Sequence, residues 1–179
     1  MKISVFGGSQ PLEDSPAYED ARELGRLLAQ KGHTVLTGGY IGTMEAVSRG
    51  AFEAGGHVIG VTCTEIERWR GVGANKWVKE EWKKETLIER LEALIHGCDA
   101  ALALPGGPGT LTEIALMWNM IIIRALDQRP LILIGEGWRS AFAGLLHEMG
   151  PYCSPAQRDL LQFAPDITKA AGILTSLFI

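Results

Sequence analysis

The fold is decided by the stretch Ala100-Ala-Leu-Ala-Leu-Pro-Gly-Gly-Pro-Gly-Thr-Leu-Thr-Glu113. Its first part, Ala100–Leu104, is a short apolar run that predicts a buried strand. Glycine and proline then form a turn, and the apolar segment Thr110–Leu126 predicts a long helix that begins as soon as the turn ends. A strand that leads through a tight turn into a helix is the repeating unit of parallel α/β sheets.

The same unit recurs on both sides of this stretch. Four further apolar runs predict strands, at Ile3–Phe6, Thr34–Thr37, Val58–Thr62 and Leu131–Ile134. Helices are predicted at Ser15–Lys31, Met44–Ala54 and Thr86–His96, and the part after Ile134 is predicted to be helical. Alternating strands and helices predict an α/β fold with a Rossmann-like, doubly wound parallel sheet and helices on both faces. Because no linker or repeat divides residues 1–179, we expect a single domain.

Three of the five predicted strands run directly into a pair of glycines: Gly7-Gly8, Gly38-Gly39 and Gly106-Gly107. Parallel strands end at the same edge of a sheet, and ligands of such sheets bind outside that edge. We therefore expect the three glycine loops to meet at one ligand site.

The loop Pro105–Gly109 has the features of a phosphate site. Amide groups of a glycine-rich turn, the positive end of a helix dipole and the Thr110 hydroxyl would all face one anion. Alternatively, Thr110-x-x-Glu113 is only a capping box, although the glycines and prolines before it favour a phosphate. Glu113 is expected on the first turn of the helix, where a carboxylate can stabilise positive charge on a sugar ring or orient a water molecule.

Other nucleotide motifs are absent from the sequence. The first loop lacks GxGxxG, and no Gly-Lys-Ser/Thr occurs, which argues against redox use of NAD and against ATP hydrolysis. The second loop, Gly38–Glu45, is a weaker signal because many helices begin after glycine turns. By itself, Arg90 is most typical of an exposed side chain paired with Glu89 or Glu92.

The composition restricts the partners and the compartment. A net charge of −4 argues against nucleic acid or an anionic membrane as the main partner. Three cysteines without CxxC spacing favour a reducing compartment, and the first apolar run is too short for a signal peptide. We therefore expect a cytoplasmic protein. The four scattered histidines predict no metal site.

Two segments predict contacts beyond the core. The segment 111–125 is apolar nearly all round, which predicts a homodimer packed through this helix, or else burial beneath the C-terminal helices. The segment Glu65–Glu85 is highly charged and contains three tryptophans. It is interpreted as a long loop anchored to the body, with a lid that stacks on a base as the alternative.

The sequence resembles the LOG ("Lonely Guy") family from the first strand to about Ile134. The resemblance rests on Pro-Gly-Gly-x-Gly-Thr-x-x-Glu at Pro105–Glu113, on Gly38-Gly39-x-x-Gly42-x-Met44 and on Arg90. It implies hydrolysis of the N-glycosidic bond of a nucleoside 5'-monophosphate with an adenine- or cytokinin-type base, which yields the free base and ribose 5-phosphate. It also implies a Rossmann-like fold, a dimer or larger assembly, and no cofactor.

The resemblance carries over to individual positions. Glu113 and Arg90 become the catalytic pair, and because arginine stays protonated, Arg90 would orient Glu113, bind phosphate or offset charge on the departing base. The residues expected to bind the phosphate and the rest of the substrate are Gly8, Ser9, Gly39, Gly42, Met44, Pro105, Gly106, Gly107, Gly109, Thr110 and Asn119. Two departures concern base preference: Leu91 stands where plant members have lysine, and Trp118-Asn119 replaces a Thr-Trp-Ala-Gln-like run.

Two other functions compete with the hydrolase. The first is a non-catalytic carrier of a nucleotide or of molybdenum cofactor, which would use the same phosphate site. Arg90 and Glu113 together favour the enzyme. The second, a pyridoxal-dependent lysine decarboxylase, is the label that older annotation gave this family. It needs a Schiff-base lysine at the cofactor, and no lysine lies in a glycine loop after a strand.

Overall fold

The computed structural model describes residues 1–176, which form seven strands and eight α-helices around one sheet. The strands are β1 (Lys2–Phe6), β2 (Thr34–Thr37), β3 (Val58–Cys63), β4 (Glu80–Lys84), β5 (Ala100–Ala103), β6 (Leu131–Ile134) and β7 (Leu161–Ala164). They lie in the order β4-β3-β2-β1-β5-β6-β7, and every neighbouring pair is parallel. The predicted parallel sheet is therefore confirmed.

The helices cover both faces of this sheet. They are α1 (Pro16–Gln30), α2 (Thr43–Glu53), α3 (Thr64–Arg70), α4 (Leu87–His96), α5 (Pro108–Ile122), α6 (Glu136–Glu148), α7 (Pro155–Arg158) and α8 (Ile167–Ser176), with a 3₁₀ turn at Gly150–Tyr152. One apolar core joins the sheet to α1, α2 and α8, and a second joins it to α4, α5 and α6. Within residues 1–176, no helix combines the length and the apolar character needed to cross a membrane.

The side chains of β1 point alternately to the two faces of the sheet, which shows how the two cores form. Ile3 and Val5 belong to the core beneath α1, whereas Phe6 belongs to the core beneath α5. Successive side chains of a strand point to opposite faces, so one short apolar strand contributes to both layers. This is why the central strands are apolar throughout.

The two strands that the sequence analysis missed lie at the edges of the sheet. β4 has the sequence Glu-Glu-Trp-Lys-Lys and no buried residue, and among the strands of residues 1–176 it pairs only with β3. An edge strand faces water on one side, and charged residues suit it because they discourage pairing with another chain. β7 is a four-residue strand whose single neighbour in the described part of the sheet is β6. The expectation that everything after Ile134 is helical is therefore wrong, as is the interpretation of Glu65–Glu85 as a long loop, because that segment contains α3 and β4.

Candidate functional site

Three glycine loops meet at the carboxyl edge of the sheet, as predicted. The strands that precede them, β2, β1 and β5, are adjacent in the sheet. Gly8 N donates to Pro105 O at 3.3 Å, which joins the first loop to the third. Thr43 donates from both its backbone N and its Oγ1 to Gly8 O, each at 2.9 Å, which joins the second loop to the first. The three turns form one hydrogen-bonded unit.

Beside this unit lies a cavity of about 610 Å³, a size typical of small-molecule sites. Its walls come from the first and third loops and from residues of α2, α3, α4 and α5. Most of the residues predicted to form the site line it: Gly8, Ser9, Met44, Arg90, Pro105, Gly106, Gly107, Gly109, Thr110 and Glu113.

The third loop presents free amide groups to this cavity. α5 begins at Pro108, with Gly107 as its N-cap and no side chain capping it. Within residues 1–176, the N–H groups of Gly106, Gly107, Gly109 and Thr110 have no acceptor. Unsatisfied amides at the positive end of a 15-residue helix are a ready site for an anion.

Glu113 lies one turn deeper in α5 than the sequence predicted. Because the helix starts at Pro108, Glu113 is in the second turn, and the alternative capping box of Thr110 and Glu113 does not form. Its carboxyl lines the cavity and is only 7% exposed. Burial raises the pKa of Glu113 to about 7, and the cation of Arg90 opposes that rise.

Arg90 is buried, which corrects the expectation of an exposed surface pair. Glu89 is unavailable to it, because the Glu89 carboxylate accepts from the backbone N of Glu85 and Thr86 and so caps α4. The Arg90 side chain instead points inward, where Nε donates to Val61 O at 2.7 Å and Nη2 to Gly38 O at 3.2 Å. A buried cation, held by one carbonyl of β3 and one of the loop after β2, is thus built into the wall of the cavity.

Glu113 is the counter-ion of Arg90. The Nη1 atom of Arg90 lies 3.8 Å from Oε1 of Glu113. That separation is too long for a direct hydrogen bond, and the Glu113 carboxyl accepts no hydrogen bond from residues 1–176. The carboxyl oxygens are therefore free to contact a ligand or a water molecule in the cavity.

Two neighbours determine the position of the Arg90 guanidinium. A Cβ atom at Gly38 would overlap Nη2 of Arg90 and Sδ of Met44, so glycine is required there to make room. The guanidinium also lies 5.6 Å from the centre of the Tyr40 ring, a cation–π distance. Tyr40 is itself held by hydrogen bonds between its hydroxyl and the backbone of Cys63. The second glycine loop therefore acts on the site chiefly by positioning Arg90.

Comparisons with known proteins identify the family of this chain. The family model described as "SLOG cluster4 family" matches residues 1–135. A probable cytokinin riboside 5'-monophosphate phosphoribohydrolase of Oryza sativa subsp. japonica is 31% identical over 171 residues, which cover 92% of this chain and 73% of the relative. This chain belongs to the LOG family.

Other similar proteins carry two different descriptions. The cytokinin riboside 5'-monophosphate phosphoribohydrolase of Mycobacterium tuberculosis is 28% identical over 174 residues, covering 94% of this LOG family chain and 90% of the relative. Among solved structures, the molybdenum cofactor binding protein of Rippkaea orientalis matches with a TM-score of 0.76 at 25% identity, covering 99% of this chain and 97% of that one. The fold is thus shared by a named hydrolase and a named cofactor-binding protein.

Three of the predicted site residues of this LOG family chain do not line the cavity. Gly39 and Gly42 have φ angles of 76° and 73°, and a Cβ at Gly42 would lie 2.6 Å from Gly8 O, so both shape the second loop. Asn119 is exposed on α5, ten residues beyond Gly109 and therefore about 15 Å further along the helix. Glu113, six residues before Asn119, is the last residue of α5 that lines the cavity.

Part of the cavity wall was not predicted from the sequence. Ile66, Trp69 and Arg70 of α3 line it, as does Leu87 at the start of α4. The Leu87 side chain is 41% exposed, at the cavity. The tryptophan-rich composition of Glu65–Glu85 was the available signal, although it did not identify which side chains reach the site. The alternative that the Glu65–Glu85 segment is a lid that stacks on a base stays a prediction.

Proposed function

We propose that the protein hydrolyses the N-glycosidic bond of a nucleoside 5'-monophosphate with an adenine-type base, releasing the free base and ribose 5-phosphate. One observation carries this proposal: a buried carboxyl, Glu113, shares its cavity with the free amides of Gly106–Thr110 and lies opposite Arg90. The names of the LOG family relatives in rice and in Mycobacterium tuberculosis support the same reaction.

The spacing along α5 supports this proposal, because the candidate phosphate site and the Glu113 carboxyl are close together on one helix. A 5'-phosphate would bind the amide groups at the helix N-terminus, next to the Thr110 hydroxyl. Glu113 is three residues after Thr110, so both side chains lie on the same face of the helix. A phosphate held at Thr110 therefore brings the attached ribose towards the Glu113 carboxyl.

In the reaction, the bond between C1' of the ribose and the base nitrogen breaks, and a bond forms between C1' and a water oxygen. The Glu113 carboxylate stabilises the positive charge that develops on the sugar and accepts the proton of the attacking water. The departing base nitrogen takes up a proton from solvent as it leaves, and Glu113 returns its proton to solvent afterwards. A pKa of about 7 suits a group that must be ionised before the reaction and protonated after it.

Arg90 acts by position and charge rather than as a base. Its guanidinium stays protonated, and the carbonyls of Gly38 and Val61 hold it in place. From there, its charge keeps the pKa of Glu113 lower than burial alone would make it. The reaction needs no redox step and therefore no redox cofactor.

A carrier of molybdenum cofactor or of a nucleotide is the second candidate, and the similarity to the Rippkaea orientalis protein favours it. The same amides could hold the phosphate of such a ligand. A carrier has no use, however, for a buried carboxyl with a pKa near neutrality. The hydrolase, in contrast, uses such a group to stabilise charge on the sugar and to accept a proton from water, so Glu113 supports the hydrolase.

The test is to incubate the protein with a panel of nucleoside 5'-monophosphates and to measure the released base by chromatography. We expect the wild type to cleave at least one nucleotide, and Glu113→Gln and Arg90→Ala to be slower, the former by about 10²–10⁴-fold. Glu92→Gln, an exposed position on α4, is the matched control. If no nucleotide is cleaved, or if Glu113→Gln matches Glu92→Gln, the hydrolase proposal fails; tight retention of an intact ligand would favour the carrier.

We also propose that the protein is a homodimer that packs through α5. The side of this helix away from the sheet exposes Leu111 (45%) and Ile123 (62%), with Ala115 between them. The alternative of burial beneath the C-terminal helices holds for only part of α5: Trp118 donates to Gln157 O and packs against Phe142. A second copy would cover the rest.

We place this activity in the cytoplasm. Cys63, Cys98 and Cys153 are all free thiols, and the first two are buried. Unpaired cysteines are typical of proteins in a reducing compartment.

A further inference from the structure

The cavity wall contains two cationic side chains among residues 1–176, Arg90 and Arg70. The Arg90 guanidinium is already engaged by the carbonyls of Val61 and Gly38, and its remaining side faces Glu113. Its charge is therefore offset by a carboxylate whenever Glu113 is ionised. Arg70 has no carboxylate partner within the described residues, so its charge is available to a ligand.

Arg70 already reaches the glycine loops. Its Nη2 donates to Ser9 Oγ at 3.1 Å. Ser9 follows Gly8, whose N–H donates to Pro105 O in the third loop. Gly8 also packs closely on that loop, since a Cβ atom at Gly8 would lie 3.4 Å from Gly106 Cα. The guanidinium therefore contacts the loop unit that presents the free amides, and it lines the same cavity as those amides.

Helix α3, which carries Arg70, is held in place by contacts with β4 and α4. The Glu65 carboxylate accepts from Leu87 N at 2.7 Å, and Glu65 N donates to Glu85 O. Glu67 pairs with Lys83 of β4 at 2.5 Å. At the end of α3, the Arg70 guanidinium lies 5.2 Å from the centre of the Trp69 ring. These contacts tie α3 to β4 and α4 and aim Arg70 at the cavity.

The charges in the cavity show why this cation matters. A phosphate monoester carries about −1.5 to −2 charges at pH 7, whereas the N-terminus of a helix supplies only about +0.5. With Arg90 balanced by Glu113, more than half of the phosphate charge would stay uncompensated unless Arg70 contributes. We propose that Arg70 leaves Ser9 to bind the 5'-phosphate, and that it is the residue by which this site selects nucleotides over unphosphorylated nucleosides. This inference rests on the proposed function for the identity of the substrate.

The kinetic test compares adenosine 5'-monophosphate with adenosine in wild type, Arg70→Gln and Arg70→Lys. A charge-assisted hydrogen bond contributes enough that its loss changes binding about 10–100-fold. We expect Arg70→Gln to reduce the ratio of kcat/KM for the nucleotide over the nucleoside by that factor, mainly through KM, and Arg70→Lys to restore part of it. Arg68→Gln, an exposed position on the same helix and outside the cavity, is the control for charge and folding.

A binding measurement separates this inference from the hydrolase proposal. Calorimetry with ribose 5-phosphate needs no turnover, and we expect Arg70→Gln to weaken its binding about 10–100-fold relative to Arg68→Gln. If the wild type cleaves no nucleotide but this loss of binding is seen, the function fails and the role of Arg70 stands. If Arg70→Gln binds ribose 5-phosphate as Arg68→Gln does, or loses nucleotide and nucleoside activity equally, the role of Arg70 is overturned.

Discussion

The Nη1 atom of Arg90 lies 3.8 Å from Oε1 of Glu113, and the two side chains are 5–7% exposed on neighbouring helices. Burial raises the pKa of this carboxyl to about 7, while the arginine charge limits the rise. The pair therefore holds one carboxyl that gains or loses its proton near neutral pH, beside a set of free amides.

The rate of hydrolysis should rise with pH through neutrality. Glu113 acts as a carboxylate in the proposed reaction, so kcat/KM should increase as the pH passes about 7. A pH–rate profile with a nucleoside 5'-monophosphate measures this increase in kcat/KM. A rate that falls across the same range would instead make the protonated Glu113 the active form.

Arg90→Gln separates the titration of Glu113 from that of the substrate phosphate, whose own pKa is about 6. Without the arginine charge, the pKa of Glu113 should rise, and the increase in kcat/KM should therefore move to higher pH. The substrate titrates identically in both proteins. If the rise in kcat/KM occurs at the same pH in Arg90→Gln as in wild type, the rise would therefore be assigned to titration of the phosphate.

The stability of the folded state should fall between about pH 4.5 and pH 7. The pKa of Glu113 is 4.5 when unperturbed and about 7 in the folded protein. In that range the folded state binds more protons at this site than the unfolded state does, so raising the pH destabilises it, by about 3 kcal/mol in all. Glu113→Gln removes this contribution. Urea unfolding at several pH values should show the variant gaining stability relative to wild type as pH rises, whereas the exposed Glu92→Gln should not.

Arg90→Ala should destabilise the protein by about 3–5 kcal/mol at pH 8. The change removes one partner of a buried charge pair, so the Glu113 carboxylate is left without its counter-ion. It also leaves the carbonyls of Gly38 and Val61 without their donor. Arg68→Ala should lie close to wild type, since Arg68 is exposed. Adding Glu113→Ala to Arg90→Ala should recover part of the loss; equal stability of the single and double variants would contradict the pairing.

Gly38→Ala should reduce activity without preventing folding. A methyl group at this position would overlap Nη2 of Arg90 and Sδ of Met44, so the guanidinium must shift. A displacement of about 1 Å in a catalytic constellation costs on the order of 10²-fold in rate. Gly144→Ala, in α6 with open space around it, is the control. Wild-type kinetics in Gly38→Ala would show that Arg90 tolerates another position.

Leu111→Lys and Ile123→Lys should each weaken the proposed dimer. Both place a charge on the exposed side of α5, whereas Leu145→Lys changes a leucine of equal exposure (45%) on α6. Mass measurement in solution should give twice 19.4 kDa for wild type and for Leu145→Lys, and a smaller average mass for the α5 variants. A monomeric wild type would contradict the dimer.

Much of the architecture could be predicted because it depends on local pattern. The central strands are short apolar runs, and glycines mark the turns that follow β1, β2 and β5. The edge strands escaped prediction because β4 is charged and β7 is only four residues long. Both are held by hydrogen bonds to one neighbouring strand, which leave no periodic trace in the sequence.

The site was predicted in part for the same reason. The loop Pro105–Thr110 carries its chemistry in its own glycines and at its helix start, so its sequence suffices to identify it. Asn119 was misplaced because a position on the same helix is not necessarily near the cavity. Arg70 was missed because it reaches the site through a contact with Ser9, which is 61 residues away in the chain.

By itself, the sequence determined the parallel sheet, the three glycine loops and the free amides at the start of α5, since each follows from residues that are adjacent in the chain. Only the tertiary structure decided the state of Arg90 and Glu113. Along the chain, Arg90 sits in an ordinary amphipathic helix and Glu113 resembles a helix cap. Packing against β2 and β3 buries the arginine, and that burial brings a cation to within 3.8 Å of the carboxyl whose pKa it controls.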